Sequence, residues 1–315
     1  MLKMPQKILV TGGGGYVGSE LVAELADNGH HVACIDRFSN GANLFEKKYE
    51  DKIKIIKSDI RNIDPKILDN VDVVFDLAAL SKKIKSEHYD TETFEVNHKG
   101  RVQIAKLSKA AGVTQYILGS SALIYGQQAQ IVDEESSVKP INAYTKANRN
   151  AEIDILPLND DSFTTTVFRF SSIYGSSRRM RWDQSVNGMI LQLYKTCKIS
   201  VRGKNNKRSL LHIKDAIMAC NSIITAPKEK IGGQIFNVGS EDQDYKMGNL
   251  AKEIVNIIGK ECEIELNDIP DNTSYTASFK KIQKALNFTH KYSLRDGVLQ
   301  IYQELKSGKL EIPPI

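Results

Sequence analysis

At 315 residues, with 41% hydrophobic and 26% charged side chains, the chain has an ordinary globular composition and is long enough to bury a large core. Its net charge of +5 is mild and no basic run carries interleaved aromatics, which argues against nucleic-acid binding. No apolar run reaches membrane-spanning length, and Cys34, Cys197, Cys220 and Cys262 lie too far apart to suggest a metal cluster, so they read as reduced thiols with no metal expected.

In chain order, the apolar residues 7–10 predict a strand that runs straight into Thr11-Gly12-Gly13-Gly14-Gly15-Tyr16-Val17-Gly18, followed by a helix over 16–28. A strand feeding a glycine-rich turn and then a helix is a phosphate cradle. Gly12 permits the tight turn, Gly15 lets the backbone approach a pyrophosphate, and Gly18 lets the helix pack on the sheet with its free N–H groups facing the anion. A second strand, 31–35, ends at Asp36, where a carboxylate can accept hydrogen bonds from both hydroxyls of an adenosine ribose. That favours NAD over NADP, whose 2′-phosphate would meet a like charge, although Arg37 beside it keeps NADP open. Strands at 52–57, 71–77, 115–118 and 164–170 then alternate with helices at 91–111 and 144–156. Such alternation predicts an α/β chain with a Rossmann-type, doubly wound parallel sheet and a ligand crevice at the strand carboxyl ends. Asp59-Ile60, Leu77-Ala78-Ala79 and Ser120-Ser121 all fall at such ends.

Beyond Gly175 the pattern loosens into a loop with Arg178, Arg179, Arg181 and Trp182, a helix at 184–194 and an apolar strand at 235–238. Residues 1–172 therefore read as the NAD-binding domain and 173–315 as a smaller C-terminal substrate-binding lobe, with segments such as 208–240 threading back to the first. The first strand begins at residue 7, leaving no room for a signal peptide, so a cytoplasmic location is expected and the triplets at Asn272 and Asn287 carry no glycosylation meaning.

These pieces, with Asn97, the run Ser-Ser-Ala-Leu-Ile-Tyr-Gly from Ser120 to Gly126, Tyr144 in Asn-Ala-Tyr, Arg169-Phe170 before Tyr174-Gly175, and Arg208 to Asp215, resemble the extended short-chain dehydrogenase/reductases that act as sugar-nucleotide epimerases and dehydratases. The resemblance covers nearly the whole chain. It implies tightly held NAD, a nucleoside diphosphate sugar in the small lobe, and chemistry that begins with hydride removal at sugar C4. The cofactor contacts it implies are Gly12, Gly15, Tyr16, Val17, Asp36, Arg37, Asp59, Ile60, Leu77, Ala78, Ala79, Asn97, Ser120, Tyr144, Asn148 and Phe170. It also implies substrate contacts at Ser121, Ser172, Asn187, Arg208 and Arg181. Thr273 stands where some relatives carry arginine, and Ser172 where asparagine is common. The resemblance also implies a homodimer through a four-helix bundle, which the apolar faces of the helices 91–111 and 144–156 would suit.

Oxidising a secondary alcohol needs a base for its proton and a donor to steady the developing alkoxide. Tyr144 and Ser121 supply those two oxygens. A phenol is a poor base at neutral pH, and the family depresses it with a lysine one helical turn on, where this chain has Asn148. An absent cation at ~5 Å and an effective dielectric of ~20 forfeits roughly 3 kcal/mol, so Asn148→Lys is expected to shift the rate profile about two pH units lower. Asn148 remains able to hydrogen-bond the nicotinamide ribose. Three readings of Asn148 stand open: an active enzyme that draws its charge from elsewhere, a slow or non-catalytic binder, or an introduced substitution. Dehydratases of this family carry an Asp-Glu pair, and decarboxylases commonly a glutamate, directly after the active-site hydroxyl. Ala122-Leu123 here favours 4-epimerisation, with a catalytically impaired NAD and nucleotide-sugar binder, or a 4-dehydrogenase or dehydratase, as alternatives.

Overall fold

Seven apolar segments pair into one all-parallel sheet, in the spatial order Gln234–Val238, Thr164–Phe170, Gln115–Ser121, Val73–Asp76, Lys7–Thr11, His31–Asp36, Ile53–Lys57. The structure is a computed structural model that describes residues 5–39, 41–42, 44–81, 86–268 and 273–313. Every residue of Thr164–Phe170 is buried, as a strand covered on both faces requires. One face is packed by Leu21, Val22, Ile217 and Cys220, the other by Ile104, Ala105, Ala151 and Ile155. The chain leaves Lys7–Thr11 in one direction for the second and third strands and returns on its other side with Val73–Asp76. That reversal defines a doubly wound, Rossmann-type fold and places a crevice where Thr11 and Asp76 end their strands.

The glycine loop is held by sterics. Gly12 adopts φ +66°, and a Cβ on it would lie 2.7 Å from the Ala78 nitrogen; one on Gly18 would lie 2.1 Å from the Gly12 carbonyl oxygen.

A second core, with Ile190, Leu193, Leu250, Ile254, Val298 and Ile301, holds the small lobe together. Its helices Met247–Ile258 and Leu294–Lys306 and its short strands carry no extended alternating run, which is why the pattern loosens there. The chain crosses between the two cores several times. Gln127–Val132 pairs with Ser274–Ala277, Ile213–Ile223 packs against the helix Tyr16–Asp27, and Gln234–Val238 closes the edge of the large sheet.

The helix expected at 91–111 begins earlier, at Glu87. Ser86 caps it by accepting from the Tyr89 N–H, and Glu87 and Asp90 complement the positive end of its dipole. It is also not uniform: Glu87–Phe94 passes into a π-helical stretch, Glu95–Gly100, before Arg101–Ala110 continues. Such wide turns re-aim side chains, and here Asn97 and Arg101 are both turned inward and fully buried. Among the described residues no helix is long and apolar enough to cross a membrane.

Candidate active site

Tyr144 lies in the first turn of the helix Ala143–Ile155. The helix starts there because Asn142 accepts from the Thr145 N–H at 2.9 Å while Thr145 Oγ1 accepts from the Asn142 N–H at 3.1 Å, a reciprocal capping box. Tyr144 is half-buried and close to the positive end of the helix dipole. Ser121 ends its strand and caps the turn Ala122–Tyr125, its Oγ accepting from the Leu123 N–H at 3.2 Å. That contact uses Oγ as an acceptor and leaves the hydroxyl hydrogen to donate to a ligand.

The cofactor side is formed by the glycine loop, Asp36 and the segment after Val73–Asp76. The first turn of Tyr16–Asp27 contains no acidic residue, and no side chain caps its N–H groups, so a pyrophosphate finds free donors and no repulsion. Asp36 accepts from the N–H groups of Gly14 at 3.2 Å and Phe38 at 2.8 Å, which fixes its carboxylate beside the loop. The residues present fit NAD. Arg37 is exposed and donates to Glu92 at 2.9 Å, with Asp59 at 3.9 Å, rather than standing over Asp36. It does not offset the like charge that a 2′-phosphate would meet. Asp36→Ala is therefore expected to narrow the preference for NAD over NADP by about tenfold, measured as the ratio of dissociation constants. Equal affinities in the unmodified chain would sink this reading.

Several anticipated contacts are placed differently. Asn97 is fully buried with both ends of its amide on Leu80, donating to the carbonyl at 2.8 Å and accepting from the N–H at 2.7 Å. It therefore shapes the loop below the cofactor crevice. Ser120 donates its hydroxyl to Glu152 at 2.6 Å. Asn187 was expected to help hold substrate phosphate, yet it is fully buried, accepts from the Gly175 N–H and donates to the Tyr16 hydroxyl and the Arg181 carbonyl, each at 3.1 Å. It fastens the small lobe to the glycine-loop helix. Tyr16 completes that joint by donating to the Gly175 carbonyl at 2.7 Å, and burial pushes its phenol well above its usual range. Asp59 keeps its strand-end place, but Arg61 engages its carboxylate through two nitrogens, at 2.9 and 2.6 Å.

Asn148 departs furthest from expectation. It is 1% exposed, its Oδ1 accepts from Arg101 at 3.0 Å and its Nδ2 donates to the Tyr144 carbonyl at 2.8 Å. Both ends of its amide are thus engaged within the protein. Arg101 and its partner Asp76 are both fully buried, and neither falls within a motif that the sequence singles out. The available signal was a carboxylate ending the otherwise apolar strand Val73–Asp76.

On the substrate side, Ser172 is half-buried beside Leu210, and Phe170 and Ser121 end neighbouring strands in register. Arg208 is buried and donates to the Thr273 carbonyl at 2.5 Å and to the Thr273 hydroxyl. The threonine at that position therefore braces Arg208. Pro270, Asp271 and Asn272 lie outside the described residues. Arg181 donates to the Ser81 hydroxyl at 2.5 Å and pairs with Asp183. Burial opposes its charge, but Asp183, Tyr144 and Tyr16 outweigh that and hold its pKa above the usual value, so Arg181 lies within electrostatic reach of Tyr144. Arg178 pairs with Glu20 at 2.7 Å and Arg179 donates to the Gly41 carbonyl at 2.7 Å, so both tie the loop to the large domain. His212 packs between Tyr174 and Tyr292 and caps the helix Ile213–Ile223. Burial pushes its pKa down to about 4, which keeps it neutral and structural.

With this geometry in place, residues 8–239 match the NAD dependent epimerase/dehydratase family, and the chain belongs to that family. The family's cofactor is NAD. The chain is 24% identical over 313 residues to UDP-glucuronic acid decarboxylase 1 of Arabidopsis thaliana, an alignment covering 96% of this chain and 70% of that protein. It is 27% identical over 253 residues to the UDP-N-acetyl-alpha-D-glucosaminuronate decarboxylase of Bacillus cytotoxicus, covering 76% and 77%. Its fold superposes with a TM-score of 0.85 on the UDP-glucuronic acid 4-epimerase of Bacillus cereus, solved with UDP-glucuronic acid and NAD, at 23% identity over 96% of this chain and 99% of that one.

Proposed function

We propose that the chain is an NAD-dependent 4-epimerase of a nucleoside diphosphate sugar, with Tyr144 as the base and Ser121 as the donor to the C4 oxygen. One observation carries the choice among the family's reactions. Directly after Ser121 stand Ala122, fully buried, and Leu123, partly buried in an apolar core, so no carboxylate follows the active-site hydroxyl to move protons at C5 or C6. NAD held by the glycine loop and Asp36 would supply the acceptor, and on the return the donor, for the C4 hydride. Tyr144 takes the hydroxyl proton as the 4-keto sugar forms and gives it back on the return, while the Ser121 hydroxyl steadies the oxygen throughout. Arg208 and Arg181 are proposed to face the diphosphate and the sugar.

UDP-glucuronic acid, UDP-glucose and UDP-N-acetylglucosaminuronic acid are the first substrates to offer, because the names of similar proteins carry these sugars. Proton NMR of the product should show the sugar H4 coupling of the opposite configuration, with carbon count unchanged. Loss of carbon dioxide from the uronic acid would replace the reading with decarboxylation. Cofactor retention with no product from any of the three would replace it with a binder.

The same reading includes a homodimer. Val102 and Leu107 line a shallow hollow rimmed by His98, Lys99, Gln103, Lys106 and Asp154, and Ile153 beside it is half exposed, on the two helices that the family resemblance assigns to a four-helix bundle. Light scattering at micromolar concentration should give twice the chain mass. A monomer mass there would remove this part of the proposal.

A further inference from the structure

We propose that Arg101 is the positioning cation of this site: it holds Asn148, and through it the first turn of the helix that carries Tyr144, and it fills the place where a lysine at 148 would put its charge. The inference rests on the reading of Tyr144 as the base. Arg101 has no exposed surface. Its Nε donates to Asp76 Oδ2 at 3.1 Å, one terminal nitrogen reaches the carbonyls of Asp76 at 2.7 Å and Gly119 at 2.6 Å, and the other donates to Asn148 Oδ1 at 3.0 Å. Asn148 then donates to the Tyr144 carbonyl. The four acceptors lie on two strand ends and one helix, a span that a planar five-donor fork can bridge and a single ammonium cannot. Asp76 is satisfied in turn by Thr11 Oγ1 at 2.5 Å and the Tyr116 hydroxyl at 2.6 Å. One network thus joins the glycine-loop strand, both central strand ends and the Tyr144 helix.

The arrangement accounts for asparagine at 148. Asp76 and Arg101 together are neutral, so the pair sits in a water-free interior without a net charge. A lysine at 148 would bring a second cation to within hydrogen-bond distance of the guanidinium, with one carboxylate to serve two positive charges. An amide accepts from Arg101 on one end and donates to Tyr144 on the other, which neither cation can do. Asn148→Lys is therefore expected to harm the protein rather than improve it, the reverse of what the sequence alone suggests. Because the pair is neutral, its action on Tyr144 is geometric: it fixes the helix turn from behind.

Three variants of the full chain test this: Asn148→Lys, the double variant Arg101→Met with Asn148→Lys, and Arg101→Lys. Each is compared by thermal midpoint, by NADH dissociation constant from nicotinamide fluorescence, and by kcat and KM on the nucleotide sugar that is turned over. Asn148→Lys should lower the midpoint and weaken NADH binding about tenfold, and the double variant, which moves the cation from 101 to 148, should recover most of both. Arg101→Lys keeps a cation beside Asp76 and so should fold, but it loses the bridge to Asn148 and should lower kcat about tenfold with KM within about twofold. The proposal is overturned if Asn148→Lys matches the unmodified chain in midpoint and NADH affinity, if the double variant does no better than Asn148→Lys, or if Arg101→Lys leaves kcat unchanged, since Arg101 would then serve Asp76 alone. An unmodified chain that turns over no sugar would sink the reading of the reaction, while the midpoint and NADH comparisons would still decide this one.

Discussion

Tyr144→Phe should lower kcat by about 10³-fold or more while leaving the NAD dissociation constant within about threefold of its starting value. The substitution removes one hydroxyl from a half-buried ring and nothing from the core, so the thermal midpoint should stay within the spread of repeat measurements. Neither Ser121 nor Arg181 can take its part. Ser121 is held as a hydrogen-bond acceptor by the Leu123 N–H and is placed to donate, not to abstract. Arg181 is a cation kept protonated by its neighbours. Ser121→Ala should cost less, about 10²-fold, because it removes a stabilising hydrogen bond and leaves the base in place. Product formation by NMR under single-turnover conditions separates the two. A Tyr144→Phe variant retaining a tenth of the rate would mean that the proton leaves by another route.

The parts of this molecule that periodicity and turn chemistry dictate were legible in the sequence. Apolar strands ending in Thr11, Asp36, Asp76, Ser121 and Phe170 fix a parallel sheet, and the glycine loop and Asp36 mark where a dinucleotide fits. What the sequence hid were contacts made by side chains across elements. Asn97, Ser120 and Asn187 occupy motif positions, yet each spends its polar atoms on the protein, because a buried amide or hydroxyl must find partners before it can serve a ligand. Asn148 reads as a missing charge because helical spacing reveals only its own helix; the guanidinium that holds its amide comes from a residue 47 positions earlier and is itself paired with Asp76. The π-helical stretch that turns Asn97 and Arg101 inward has no signature in an alternating or 3.6-residue pattern.

Glu152→Ala should be the most destabilising of the substitutions considered, at about 3–5 kcal/mol, because it strands a buried guanidinium. Glu152 is 1% exposed, as is Arg169, and its two oxygens take the Arg169 Nε at 3.0 Å and a terminal nitrogen at 2.8 Å, the bidentate geometry that makes such pairs strong. Its remaining lone pairs accept from Ser120 at 2.6 Å and Arg149 at 3.1 Å. Removing the carboxylate leaves Arg169 with the Tyr125 hydroxyl and the Glu134 carbonyl, neither of them charged. Glu152→Gln should cost less, since the amide oxygen still accepts one of the two bonds and the volume is kept. The solvent-exposed pair of Lys99 and Glu95, at 2.7 Å, serves as the control: Glu95→Ala should cost no more than about 0.5 kcal/mol, because water and mobile side chains already compete for that contact. Urea unfolding of the three variants measures all of this on one scale. If Glu152→Ala proved no worse than Glu95→Ala, Arg169 would have to be finding solvent or another acceptor on losing its partner, and the strand Thr164–Phe170 would be looser at its catalytic end than its complete burial implies.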